Sequence, residues 1–191
     1  MSATAPTLCS LSPESGLEHH LPSSFLHPGE VFASATPHVI TTILGSCVAM
    51  CLFDPLTGIG GMNHFAIPRS AAHDPLSTRA AAGALHTLLA RLEALGARRR
   101  TLQVKLFGGN SVLSLPDRDD PEHPMTGSRP HVGQANVAIA RALLAEHHLP
   151  VVRELVMNPR GMMLKMVTAT GDVWVRPVHT VRPALPLAAV R

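Results

Sequence analysis

Aromatic residues are scarce in this chain: five Phe, one Trp and no Tyr among 191 residues. Proteins that hold single-stranded nucleic acid stack the bases on aromatic platforms, so the composition argues against that function. Charge of one sign is lacking too. The net charge is +3, and the only basic cluster, Arg98-Arg99-Arg100, falls where a helix ends and complements its macrodipole. Nucleic acid is therefore not an expected partner. No stretch approaches the ~20 apolar residues of a membrane span, so direct membrane insertion is not expected. The N-terminus has neither the basic region nor the apolar core of a signal peptide, and Leu8-Cys9 lacks the apolar run that would precede a lipidated cysteine. Three cysteines at irregular spacing make no disulfide framework, and the histidines are not spaced as zinc ligands with a second cysteine pair. The expectation is a reduced, cytoplasmic protein with no metal and no cofactor.

What the chain has instead is aliphatic. Hydrophobic residues make up 46% of it, enough for a substantial core of Leu, Val, Ile, Ala and Met. At this length one domain is expected, burying about 70% of the unfolded chain's surface. Residues 1–28, rich in Ser, Pro and Thr, read as a flexible leader; 29–182 form the domain; 183–191 read as a flexible Pro/Ala/Leu tail. Strands are expected over 30–35, 38–43, 48–53, 59–67, 102–106, 151–157, 164–169 and 173–178. Two helices are expected. The first ends at Leu95, with Leu85, Leu88, Leu89 and Leu92 at helical spacing, Asp74 or Ser77 as candidate cap and Gly96 as the C′ residue. The second covers 133–147. Residues 116–130, full of Pro, Asp, His and Arg, read as a mobile insert. Both faces of 48–53 are apolar, so this strand is expected at the centre of its sheet and covered on two sides. The pattern suits an α/β sandwich.

Chemistry concentrates in the run TTILGSCVAMCLFDPLTGIGGMNHFAIP, Thr41 to Pro68. Cys47 follows the Gly45-Ser46 bend, whose backbone N–H groups can face a bound carbonyl. Asp54-Pro55-Leu56-Thr57-Gly58 is turn chemistry between two strands. If Asp54 faces Thr57, the residue opposite Cys47 is His64, and opposed Cβ atoms lie roughly 4.5–5.5 Å apart. A thiol beside an imidazole is the arrangement of an activated nucleophile; a lone cysteine in an apolar strand is otherwise a core residue. Cys51, four residues on and on the same face, reads as core. Gly108-Gly109 has no Lys-Ser/Thr after it, so it is not a phosphate loop; the pair permits close backbone approach.

LGSCVAMCLFDP followed by GIGGMNHFAIP closely resembles the CheD family of chemoreceptor glutamine deamidases. KLFGGN (Lys105 to Asn110) is similar to that family's glycine pair after a strand, and VGQAN (Val132 to Asn136) to its Gly-x-x-Asn helix start. The resemblance runs from about Pro28 to Arg176. It implies a single-domain three-layer α/β/β sandwich with a mostly antiparallel or mixed sheet and two main helices. It implies Cys47 as nucleophile, His64 as general base, and Thr41, six residues before Cys47, as the hydroxyl that orients the histidine. Thr42 is a local rival. Ser46 and Gly45 would support the oxyanion; Asn63, Gly108 and Gly109 are candidates for substrate-site support. The family's Gly-rich, Arg-containing late turn is replaced here by Asn158-Pro159-Arg160-Gly161-Met162.

What the resemblance implies for function is hydrolytic deamidation of glutamine side chains in chemoreceptor cytoplasmic helices, through a cysteine thioester and without cofactor. The family also implies a second reading, a binding module that regulates a CheC-type chemotaxis phosphatase. Transglutaminase chemistry, with the same thioester passed to an amine, is a third.

Overall fold

Burying both faces of a VAMCLFD strand requires a layer on each side of it. The computed structural model, which describes residues 21–110 and 132–178, provides both. In chain order the strands are β1 (Ser23–Phe25), β2 (Val31–Ser34), β3 (Val39–Leu44), β4 (Val48–Asp54), β5 (Ile59–Asn63), β6 (Gln103–Gly108), β7 (Val151–Val156), β8 (Met162–Val167) and β9 (Val173–Pro177). The helices are α1 (Ala81–Ala94) and α2 (Val132–Glu146). Five strands form one sheet in the order β2-β5-β4-β6-β7, and four form the other, β1-β3-β8-β9. β4 is the middle strand of the larger sheet, as its two apolar faces require. The fold is α/β, and among the described strands parallel pairing occurs at β1–β3 and β6–β7.

Two cores flank β4. Val48, Met50 and Leu52 point to the helices and pack with Leu85, Leu88 and Leu92 of α1 and Val137 and Leu144 of α2. Ala49 and Cys51 point the other way and pack with Ile40 and Leu44 of β3 and Leu164 and Met166 of β8. The alternation of side chains along a strand thus sorts each residue into one core or the other. Everything on the odd side of β4, Cys47 included, looks toward the smaller sheet.

Several boundaries differ from expectation. The leader expected to run to Pro28 gives way by Ser23, because Ser23–Phe25 pairs in parallel with Val39–Thr41. Asp74 and Ser77 do not cap α1: the N-cap is Ala80, which makes no side-chain cap bond. The reason lies in Ala80, which is extended and bridges in parallel to Ile67 after a turn at Thr78-Arg79, and so delays the helix. Its other end is as expected, Gly96 lying at φ +102° with Ala97 N–H donating to the Leu92 carbonyl. The insert at 116–130 and the tail at 183–191 lie outside the described residues.

The β4–β5 hairpin is displaced by two residues from the expected register. Asp54 faces Ile59, not Thr57, so the loop has four residues, closed by Gly58 at φ +68°. The Asp54 carboxylate causes this. It is buried, and accepts from the backbone N–H of Leu56 at 3.0 Å, that of Arg98 at 2.7 Å and the Thr101 hydroxyl at 2.7 Å. Burial alone would raise its pKa; the donors more than offset that and hold it at about 2. A turn wrapped around a carboxylate needs the extra length.

Candidate active site

Cys51 pairs with Met62, and Val48 with Phe65, so His64 lies across from Ala49 and Cys47 across from Ala66. The expected direct opposition of Cys47 and His64 is therefore corrected. They are diagonal neighbours, a relation that long or aromatic side chains still span. The shift is even, so both keep the face turned to the smaller sheet. The ring is only 2% exposed, while Cys47 is half-buried beside an exposed Ser46. Solvent reaches the site from the thiol side.

The hydroxyl on the imidazole belongs to Thr42. Its Oγ1 lies 2.9 Å from His64 Nδ1. Thr41, expected in that role, is on the other face of β3: Ile40, Thr42 and Leu44 point inward, whereas Ile43 is exposed. The network also decides the tautomer. Thr42 donates its one hydrogen to the Leu26 carbonyl at 2.8 Å, so its oxygen must accept from His64. The same carbonyl lies 3.3 Å from Nδ1 and can only accept. Nδ1 therefore carries the proton and Nε2 a bare lone pair. Nε2 is buried and has no hydrogen-bond partner among the described residues. Burial pulls the His64 pKa below its ordinary value, with the Leu26 carbonyl and Glu30 opposing and His27 reinforcing the fall.

Thr42→Val should slow a reaction that uses this imidazole by roughly three- to tenfold, the worth of one neutral hydrogen bond. Thr42→Ser should restore most of the rate, and Thr41→Val should leave it near parent. Steady-state rates of the three variants at one pH check the assignment; a slow Thr41→Val with a normal Thr42→Val would reverse it.

The Gly45–Cys47 bend is pinned from beneath. Gly109 N–H donates to the Cys47 carbonyl and Asn110 N–H to that of Gly45, each at 2.8 Å. A Cβ on Gly108, which has φ +106°, would overlap the Cys47 carbonyl oxygen. Gly108 and Gly109 are thus the backbone platform of the bend. Two buried asparagines complete it. Asn110 Oδ1 accepts from Asn158 N–H at 3.0 Å, tying the 158–161 loop to the bend. Asn136 Nδ2 donates to the carbonyls of Ser46 and Ala66, both at 3.0 Å, bridging the bend to the residue across from Cys47. Sequence alone assigns neither asparagine a role; the KLFGGN and Gly-x-x-Asn motifs are the signal that contains them. Asn63 is corrected in the opposite sense. It is fully buried on the helix side of β5, away from His64, and its Oδ1 accepts from Met50 N–H at 2.9 Å.

The thiol itself is poised between opposing influences. Burial raises its pKa, while Arg79 and the residue's own backbone N–H lower it. Among the described residues the N–H groups of Ser46 and Cys47 donate to no carbonyl. A half-exposed thiol at a bend with two free N–H groups, and a histidine whose Nε2 carries a lone pair, thus lie on one face of the sheet. That arrangement can perform nucleophilic attack on a carbonyl carbon.

Residues 67–177 match the family model described as CheD chemotactic sensory transduction. The chain belongs to the CheD family. Its relatives cover more than the model does. The protein of Rhodospirillum rubrum named "Probable chemoreceptor glutamine deamidase CheD" is 37% identical over 160 residues, 84% of this chain and 85% of the relative. One from Anaeromyxobacter dehalogenans, "Probable chemoreceptor glutamine deamidase CheD 1", is 38% identical over 80% of this chain and 82% of its own length. A third, from Sulfurimonas denitrificans and named as the first, is 32% identical over 81% and 94%. The CheD model begins at Ile67, past Cys47 and His64, so in this chain those two stand on their geometry and on the GSC and NHF blocks.

Proposed function

We propose that this CheD-family chain hydrolyses the side-chain amide of glutamines in the cytoplasmic helices of chemoreceptors, with Cys47 as the nucleophile, in the cytoplasm. The observation that carries the reading is the His64 tautomer. Nδ1–H is spent on Thr42 and Leu26, so the Nε2 lone pair is left to act as base on the face it shares with Cys47.

The chemistry follows from the charges. Burial disfavours both the thiolate and the imidazolium, so the resting pair is neutral thiol and neutral imidazole. As Cys47 Sγ bonds to the amide carbon, its proton passes to Nε2, and the carbonyl oxygen becomes an oxyanion facing the Ser46 and Cys47 N–H groups. The imidazolium returns the proton to the departing nitrogen, the C–N bond breaks and ammonia leaves a thioester. Water then gives a proton to Nε2 and attacks the thioester carbon. Collapse breaks the C–S bond, leaving glutamate and a reprotonated thiol. No metal or redox step is required.

The test is incubation with a chemoreceptor cytoplasmic fragment and peptide mass mapping. Converted glutamines should gain the small mass difference between an amide NH2 and a carboxyl OH, with ammonia released in equal amount. Cross-linked chains would indicate transfer to amines instead, and unmodified fragments would overturn the reading. The same assay has an expected pH dependence. His64 must be neutral to act, and its pKa lies below the ordinary 6.5, so the acid limb of kcat/KM should fall below pH 6.5.

A further inference from the structure

The neutral resting pair leaves one requirement unmet: something must favour negative charge on sulfur when His64 takes its proton. We infer that Arg79 supplies the positive charge that stabilises the Cys47 thiolate. This inference rests on the reading of Cys47 as the nucleophile.

The position of Arg79 is built rather than incidental. Its carbonyl accepts from the backbone N–H groups of Ala66 at 2.9 Å and Ile67 at 3.0 Å. Ala66 is the residue across from Cys47, so Cys47, Ala66 and Arg79 lie side by side along the backbone pairing. The preceding residue fixes the segment on its other side, the Thr78 hydroxyl donating to the Gly29 carbonyl at 2.6 Å. Gly29 in turn donates its N–H to the His64 carbonyl at 2.6 Å. The Arg79 stem lies over Gly29, where an added Cβ would come within 2.9 Å of Arg79 Cγ. Two backbone anchors and a glycine cut away for its stem hold this arginine beside the thiol–imidazole pair.

Its charge is also unspent. Arg79 is exposed and makes no ion pair among the described residues, whereas Arg99 and Arg141 have glutamate partners. Other groups around the site do not replace it. β3 contributes neutral Thr42, while the segment after β6 contributes neutral Asn110 and α2 neutral Asn136. His27 and Glu30 bear on His64, with opposite signs. Among the described residues Arg79 is the one charge that bears on Cys47, and it acts to lower the thiol pKa against burial.

The experiment reads the thiolate directly, with iodoacetamide as a small neutral probe that forms a thioether at sulfur and releases iodide. Full-length protein carrying Cys9→Ser is alkylated across a pH series, and modification at Cys47 is located by fragmentation mass spectrometry. Arg79→Gln should slow alkylation at pH 7 by roughly threefold and move the profile to higher pH, the size expected of one solvent-screened charge. Arg79→Lys should stay within about twofold of parent, and the difference should shrink at 1 M salt, where the Debye length is about 3 Å. Deamidation kcat/KM at pH 7 should fall in parallel, with thermal melting unchanged. Coincident alkylation profiles for Arg79→Gln and parent would overturn the inference. So would a raised KM with an unmoved profile, which would make Arg79 a substrate contact. Neither result bears on whether Cys47 is the nucleophile: that reading fails only if Cys47→Ala still deamidates.

Discussion

Cys47→Ala should reduce deamidation by roughly a thousandfold or more, because the covalent route is lost and not merely slowed. The fold should survive. Cys47 is half-buried at a bend whose contacts are made by backbone atoms, the Gly109 N–H on its carbonyl chief among them. Circular dichroism and melting temperature should therefore match the parent. Cys47→Ser separates shape from chemistry: it keeps a donor of similar size, but the hydroxyl ionises far less readily, so it too should be nearly inactive. Cys51→Ala is the internal control. Cys51 is 2% exposed, its pKa pushed up to about 12 chiefly by burial, and it packs in the core between the sheets. Its truncation should cost about 1 kcal/mol of stability and little activity. Ammonia release and urea unfolding measure the two effects. A Cys47→Ala protein turning over at the parent rate would end the thioester mechanism.

The face shared by Cys47 and His64 was legible in the sequence because strand parity survives any even error. The turn residues Asp54 to Gly58 announced a hairpin but not its length, which depends on Asp54 being buried against Arg98 and Thr101, residues more than forty positions away. A clamp of that kind leaves no local trace. The choice between Thr41 and Thr42 failed for a related reason. VITTIL has apolar residues on both faces, so its pattern does not say which side meets β4 and β5. Only the second sheet, through Ile40 and Leu44 in the shared core, settles that Thr42 points inward.

Composition and periodicity indicated the helices, the central strand and the glycine pair. They were silent on what those elements do for one another. Gly108 and Gly109 support Cys47 by closeness, Asn136 by binding the carbonyls of Ser46 and Ala66, and Arg79 by an anchor at Ala66. Each is a long-range contact of a common residue type, and sequence spacing carries no record of it. The 158–161 segment shows the same limit. Its departure from the family's late turn was evident, but its attachment to the bend through Asn110 required coordinates.

His64→Gln should lower deamidation by about a hundred- to ten-thousandfold, the usual worth of a positioned general base. Glutamine is preferred to alanine because the site is buried, and truncation would leave a cavity and strand the Thr42 oxygen. The carboxamide can offer an N–H to Thr42 or Leu26 but cannot accept and return a proton. The pH profile then distinguishes catalysis from packing. In the parent, the rate should be sustained down to an acid limb below pH 6.5, since the lowered His64 pKa keeps the ring neutral there. In His64→Gln that limb should vanish, because no base remains to be protonated. The residual rate should instead climb with pH as the Cys47 thiol, raised by burial, ionises unaided. A loss confined to melting temperature, with the parent's pH profile intact, would make His64 a core residue satisfied by Thr42 and Leu26. A collapsed rate that recovers toward high pH would identify the imidazole as the group that takes the thiol's proton.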